Sequence, residues 1–350
     1  MKTTFTSTSA MAEATRLTMM KLQSQLTDAQ KEVSTGRYTD VGATLGSRTG
    51  QTVSLRQEQT RLQAMMDSNS FASTRMDATQ STLKSISQDA QSFLNQLVAA
   101  PNGNVQNVLQ GEAKSTLSAL IGSLNTQVDG AYLFAGINAD VKPIAEYDQT
   151  PPAANQQGVA DAFSSAFGFS QSDPQVANIS ADDMQTFLGS SFADMFADPA
   201  WKSTWSSASD QNVRSRISTS ELIDTSANAN DESIRKLASA YTMVADLGTA
   251  NLNQGAFQKV VDKATQLTAE AIRGLTTVQA NLGNAQQRVT NANSRMTIQS
   301  DIMTKHISAL EGVDPYEASS RLSALMTQVE TAYAMTARIE KLTLLNYLPI

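Results

Sequence analysis

Carboxylates offer the first candidates for chemistry. Asp182 and Asp183 are adjacent, and Asp194 and Asp198 are four apart, so either pair could hold a cation or share a proton. Neither has the ligand spacing of a calcium loop, and both lie among Ser and Gly, where Asp caps helices and opens turns. His306 is the only histidine, so a histidine ligand set is excluded. Its place between Met303 and Leu310 at helical spacing makes it a packed seam residue before it makes it a pH-sensitive contact. Cysteine is absent, which removes disulfides, thiolate metal sites and cysteine nucleophiles together. Met65, Met76, Met296 and Met303 fall at helical spacing and read as core filler rather than as a soft-metal site. The sequence holds no Gly-rich phosphate loop and no nucleophile elbow. Catalytic, cofactor-binding and metal-binding residues are therefore not expected, and the chain reads as a structural protein rather than an enzyme.

Composition narrows the partners. The chain has 350 residues, 41% hydrophobic and 6% aromatic, room for two or three domains with a core. Its net charge is -7 with Lys and Arg scattered, so a phosphate-backbone partner is not expected. Met1 to Leu26 mixes Thr, Ser, Lys and Glu with single apolar residues, unlike a secretory signal, and no apolar run approaches a membrane span. Absence of cysteine also suits an extracellular protein exported unfolded.

The elements follow from proline and periodicity. Five of eight prolines lie between Pro143 and Pro199, while residues 1–100 and 200–314 have none, which permits long helices on both sides of an interrupted middle. Leu55, Glu58, Leu62, Met65, Asn69, Ala72, Met76, Thr79, Leu83, Ile86, Ala90, Phe93 and Leu97 keep an unbroken 3-4 spacing that predicts one helix ending before Pro101. Leu275, Val278, Leu282, Ala285, Val289, Ala292, Met296, Gln299, Met303, His306 and Leu310 repeat that spacing and stop at Gly312. Shorter stripes run from Met19 through Leu22, Leu26, Ala29 and Val33 to Gly36, and from Ala318 through Leu322, Leu325, Val329, Ala332 and Thr336 to Ile339. Asp314-Pro315 supplies an N-cap and a first-turn proline for the last helix.

Matched breaks at Gly36 and at Gly312 to Asp314 make the pattern a nested hairpin. The expected fold is mainly α: a long antiparallel coiled-coil or helical-bundle rod built from both chain ends, with a smaller α+β middle domain inserted. Its expected parts are terminal helices in 1–40 and 313–350, a long-helix region in 41–137 and 213–312, and an inserted outer domain in 138–212. Arg214 to Asp224 alternates as strands do. Leu62, Leu83, Phe93, Leu282 and Val289 are the expected core of the long helices. Leu22, Leu26, Val33, Leu322, Leu325, Val329 and Ile339 are the expected assembly interface. Ala-rich short seams cannot hold single helices in water, so the ends are expected to become ordered against neighbouring subunits.

The terminal segments resemble the flagellin and hook-associated family. On the N-terminal side the likeness rests on Leu22, Leu26, Gln30, Val33 and Ser34-Thr35-Gly36. On the C-terminal side it rests on Leu282-Gly283-Asn284-Ala285-Gln286-Gln287-Arg288-Val289, with Asp314, Leu325, Gln328, Ala337 and Ile339. Tyr132-Leu133-Phe134-Ala135-Gly136, Pro143 and the ending Leu344 to Leu348 are similar to the hook–filament junction members, making Tyr132, Phe134 and Gly136 the motif residues. The resemblance implies an extracellular subunit exported by the flagellar type III apparatus. Its implied partners are further copies of itself in a ring, hook-associated protein 1, flagellin and, before export, a chaperone at the C-terminal helix. Flagellin shares the nested hairpin and is the nearest alternative. A soluble coiled-coil adaptor is the alternative from another class, disfavoured by terminal helices rich in Thr, Ser, Gln and Ala with few charges.

Overall fold

The structure is a computed structural model, and it describes residues 8–100 and 106–341. The chain divides into two compact units, one of residues 1–64 with 296–350 and the other of residues 65–295. These limits lie inside the long helices, because each unit takes one stretch of the same two helices. The expected limits near 40, 138, 212 and 313 follow breaks in the sequence pattern instead.

The first unit is built from both chain ends. Helix α1 (Thr8–Thr35) stops where the sequence stops it: Gly36 turns left-handed at φ +67°, and its amide donates back to the Glu32 carbonyl at 2.8 Å. Asp40 caps the short α2 (Val41–Leu45) by accepting from the Ala43 amide at 2.8 Å. Helix α3 (Thr49–Ala99) then begins, and its first part belongs to this unit. From the other end come the last part of α9 (Gln254–Glu311) and all of α10 (Pro315–Lys341). Asp314 opens α10 by accepting from the Tyr316 amide at 2.8 Å, with Pro315 at the first helical position. Helices α1 and α10 pair antiparallel, as Thr336 near Met19, Tyr333 near Gln23 and Arg321 near Glu32 establish. The same direction relates α3 to α9, where the Gln59 amide donates to the Thr304 hydroxyl at 2.7 Å.

The second unit carries the main core. Asn69 with Asn293, Asp77 with Gln286 and Gln80 with Gln279 continue the antiparallel pairing of α3 and α9. Every position of the expected α3 stripe is buried or half-buried, and Leu62, Leu83, Phe93, Leu282 and Val289 are all buried. Added to this pair are α4 (Gln106–Leu124) and α8 (Glu232–Asp246), which pack on each other. Residues 237–245 of α8 are buried on every side, while Glu232, Arg235, Lys236 and Asp246 toward its ends stay partly in water. Phe93 meets Tyr241 edge to face at 5.0 Å. Gly274 of α9 lets Ser233 at the start of α8 approach within the space a Cβ would occupy.

Two hairpins accompany these helices. Strands β1 (Gln127–Val128) and β2 (Ala131–Tyr132) join through Asp129 and Gly130, both at positive φ, and β3 (Arg214–Arg216) pairs with β4 (Leu222–Asp224) where alternation predicted strands. Between the hairpins, residues 138–212 fold chiefly as α5 (Ala154–Phe167), α6 (Ala181–Gly189), α7 (Ser191–Asp194) and a π-helical turn at Trp201–Trp205. The strands thus flank this region instead of lying within it.

Two expectations of register are corrected. Beyond Met296 the inward face of α9 follows Ser300, Met303, Ile307 and Glu311, while Gln299 and His306 are exposed. Two successive four-residue steps, from Ala292 to Met296 and on to Ser300, rotate the contact stripe by one position, as an inserted stutter does. Ile298 and Ile302 consequently point outward.

Truncation at the centre of the second unit gives a direct check. Phe93→Ala removes a ring that is 1% exposed and should destabilise the protein by about 3–5 kcal/mol, measured by urea unfolding.

Candidate assembly surface

The pairing of α1 with α10 is incomplete as a core. Along this pair Ala29, Ala318 and Leu325 are buried, whereas Leu22, Leu26, Leu322 and Val329 are only half-buried. Val33, expected in the seam, is 40% exposed. Its neighbour Glu32 turns inward instead, because Arg321 reaches one carboxylate oxygen at 3.2 Å and the Thr39 amide donates to the other at 3.2 Å. Ile339 lies in α10, and its side chain is outside the described residues, as are Leu344 to Leu348. Leu17 and Met20 on α1 and Met335 on α10 are 57–60% exposed, and Tyr316 is 89% exposed. Leaving such side chains in water forgoes about 1.5–3 kcal/mol each relative to full burial.

At the base of the pair lies a feature that apolar periodicity does not show. Glu311, the last residue of α9, is 1% exposed. Arg37 meets its carboxylate at 2.5 Å, and Arg56 of α3 donates to it through two nitrogens. The backbone locks the same place: the Tyr38 amide donates to the Glu311 carbonyl at 3.0 Å and the Val313 amide to the Gly36 carbonyl at 3.0 Å. Hydrogen bonding by Arg56 holds the Glu311 carboxyl below its ordinary range, against the opposing effect of burial. Charged residues at helix breaks look like solvated caps in a sequence; only the spacing of both arginines from the matched breaks hints at this cluster.

The motif residues of the second unit are positioned by the first hairpin. Tyr132 is half-buried in β2, Phe134 is fully buried, and Gly136 takes φ +62°. A Cβ on Gly136 would stand 2.5 Å from the Gln211 carbonyl oxygen and 2.6 Å from that of Ser209, so only glycine fits.

The carboxylate pairs considered for chemistry serve local structure. Ser180 caps α6 by accepting from the Asp183 amide at 3.1 Å, and its hydroxyl donates to the Asp183 carboxylate at 2.7 Å. Asp198 pairs with Lys202 at 3.1 Å. Among the described residues no three metal-ligating side chains converge, and no helix is long and apolar enough to cross a membrane.

Residues 6–139 match the bacterial flagellin N-terminal helical region, and residues 265–348 match the bacterial flagellin C-terminal helical region, which together account for more than half of the chain. The chain belongs to the flagellin family. It is accordingly a structural protein of the flagellum, a self-assembling polymer. A solved structure of a candidate flagellar hook-associated protein from Vibrio parahaemolyticus is similar in fold, with a TM-score of 0.52 at 10% identity over 75% of this chain and 97% of that one. No curated protein matches the chain in sequence.

The Glu311 cluster makes a stability prediction with a definite sign. Because the folded carboxyl titrates below its ordinary value of 4.5, its contribution is complete above that value and is lost as pH falls through the lowered one. Glu311→Gln should lower stability at pH 7 by roughly 1–3 kcal/mol, the arginines being nearly half exposed. Melting curves of the parent and the variant should converge as pH falls below 4.5.

Proposed function

We propose that the chain is a junction subunit between hook and filament, resembling hook-associated protein 3. The partly covered α1–α10 pair carries the assembly half of this reading. Residues Leu22, Leu26, Val33, Leu322, Leu325, Val329 and Ile339 contribute to it, together with the outward Leu17, Met20 and Met335. Copies of the chain arranged in a ring bury this face against one another, so the terminal helices gain their full order on assembly. The motif around Tyr132, Phe134 and Gly136 supports the junction rather than the filament. A hook-associated likeness in fold over nearly the whole of the Vibrio parahaemolyticus protein supports it further.

On this reading hook-associated protein 1 lies on one side and the flagellin filament on the other. Export proceeds unfolded through the flagellar type III apparatus, and the C-terminal helix is the chaperone site. Terminal helices that hold little buried apolar surface of their own suit that route, since they resist unfolding least. Long-helix packing around Leu62, Leu83, Phe93, Leu282 and Val289 then holds the subunit together once it has emerged.

Immunogold labelling of isolated flagella tests the location. Label confined to a short zone between hook and filament is expected, and label along the entire filament would assign the chain to flagellin. Seeding with filament fragments separates the same alternatives, because a junction subunit should remain monomeric in that assay.

A charge in the terminal seam tests the surface. Leu325→Asp should abolish incorporation into flagella while the circular dichroism and main melting transition of the purified protein stay within about 1 kcal/mol of the parent. Normal incorporation of that variant would remove the terminal pair from the interface. Met20→Ser, on the outward side, should reduce incorporation without altering the monomer.

A further inference from the structure

The region between the hairpins concentrates aromatic side chains beyond what its size requires: six of the eleven phenylalanines and both tryptophans lie within 138–212. Most form a buried chain of ring contacts, including the stacked Trp201 and Trp205 at 5.5 Å. Phe167 and Phe169 end that chain differently. Both are half-buried, with near-parallel rings 27° apart and centroids at 6.2 Å, on one side of a cavity of about 570 Å3. That volume lies within the usual range for small-molecule sites, about 300–1,000 Å3.

The two rings are held from behind. Phe163, fully buried, lies 4.7 Å from Phe167 and 6.2 Å from Phe169, and Phe187, 3% exposed, lies 5.1 Å from Phe167. A platform fixed in this way loses little side-chain entropy when something stacks on it. Around its rim stand Gln175, Asn178, Asp183 and Ser191. The side chains of Gln175, Asn178 and Ser191 make no hydrogen bond among the described residues, and the Asp183 carboxylate is engaged by Ser180 through one oxygen, leaving the other to accept.

We propose that this cavity binds a neutral saccharide. A pyranose presents an apolar C–H face and a rim of hydroxyls, each both donor and acceptor. The phenylalanine faces match the first through C–H contact with the ring electrons, and the carboxamides, carboxylate and hydroxyl match the second. Other ligand classes fit less well. No lining residue is basic, and Asp183 repels anions, so nucleotides and phosphorylated ligands lack a counter-charge. A wholly apolar ligand would gain nothing from the polar rim, which stays solvated.

Saturation-transfer NMR on the full-length protein tests the proposal. The probes are the methyl glycosides of glucose, galactose, mannose, rhamnose and N-acetylglucosamine, with the β1,4-linked disaccharides of glucose and N-acetylglucosamine. At least one should receive saturation on ring C–H protons, with affinity falling at least tenfold in Phe169→Ala and at least threefold in Asn178→Ala. Asn178 is exposed, so its replacement should leave the melting temperature unchanged and separate lost binding from lost folding. Absence of transfer to every probe, or transfer undiminished in both variants, overturns the assignment. Binding of the apolar peptide N-acetyl-Leu-Leu-amide in place of any sugar would also overturn it and assign the cavity to a protein partner.

Discussion

Burying an unpaired carboxylate would cost several kcal/mol, yet Glu311 is almost wholly enclosed at the point where α9 gives way to α10. Its position is tolerable only while Arg37 and Arg56 stand against it, and they can do so only if both breaks in the chain coincide in space. Arg37 follows the left-handed Gly36 that ends α1, and Arg56 lies in the second turn of α3. One ion cluster therefore ties together segments 255 and 274 residues apart in sequence. Apolar seams alone would not fix this register, because a stripe of Ala and Leu slides by a turn at little cost. A charge triad has one productive alignment, which is the role best attested for buried polar groups.

Above that cluster the terminal pair is thin, and in the second unit the packing is deep. The difference lies in side-chain size and in the number of helices available. Between α1 and α10, small residues such as Ala29 and Ala318 form the buried contacts, and the larger Leu22, Leu26, Leu322 and Val329 remain partly in water. Around α8, several helices close over Phe93, Leu237 and Tyr241, and no face is left open. A member of a polymer-forming family gains from that division. The deep core holds most of the buried apolar surface, while the thin pair leaves apolar side chains in water.

Much of this fold was legible in the sequence because burial and periodicity coincide there. Every member of the α3 stripe faces inward, and Gly36, Asp314 and Pro315 stand where their backbone chemistry ends or starts a helix. Beyond Met296 the pattern was ambiguous. Gln299 and Ser300 are both polar, and the spacing that led to His306 was as regular as the spacing that leads to Ile307, so only packing could choose. Glu32 and Glu311 escaped for another reason. Their partners lie 289 and up to 274 residues away, a distance over which charge pairing leaves no periodic trace.

Aromatic composition explains why the region between the hairpins can differ from the helices around it. A helix pair with small seam residues supplies no core for an insertion, so the insertion must bring its own. Its phenylalanines and tryptophans do so as a continuous series of contacts from Tyr147 through Trp205, Trp201, Phe196, Phe192 and Phe187 to Phe163. The region also bonds to the helices around it, the Tyr147 hydroxyl donating to Asp246 at 2.7 Å and the Asn253 carboxamide to the Ala177 and Ile179 carbonyls, besides the passage where the chain enters and leaves. Gly136, whose missing Cβ admits the Gln211 carbonyl, marks that passage. The entering strand and the departing segment meet there with no room for a side chain. Outer residues are therefore tied to the long helices at several points, of which this close approach admits no side chain.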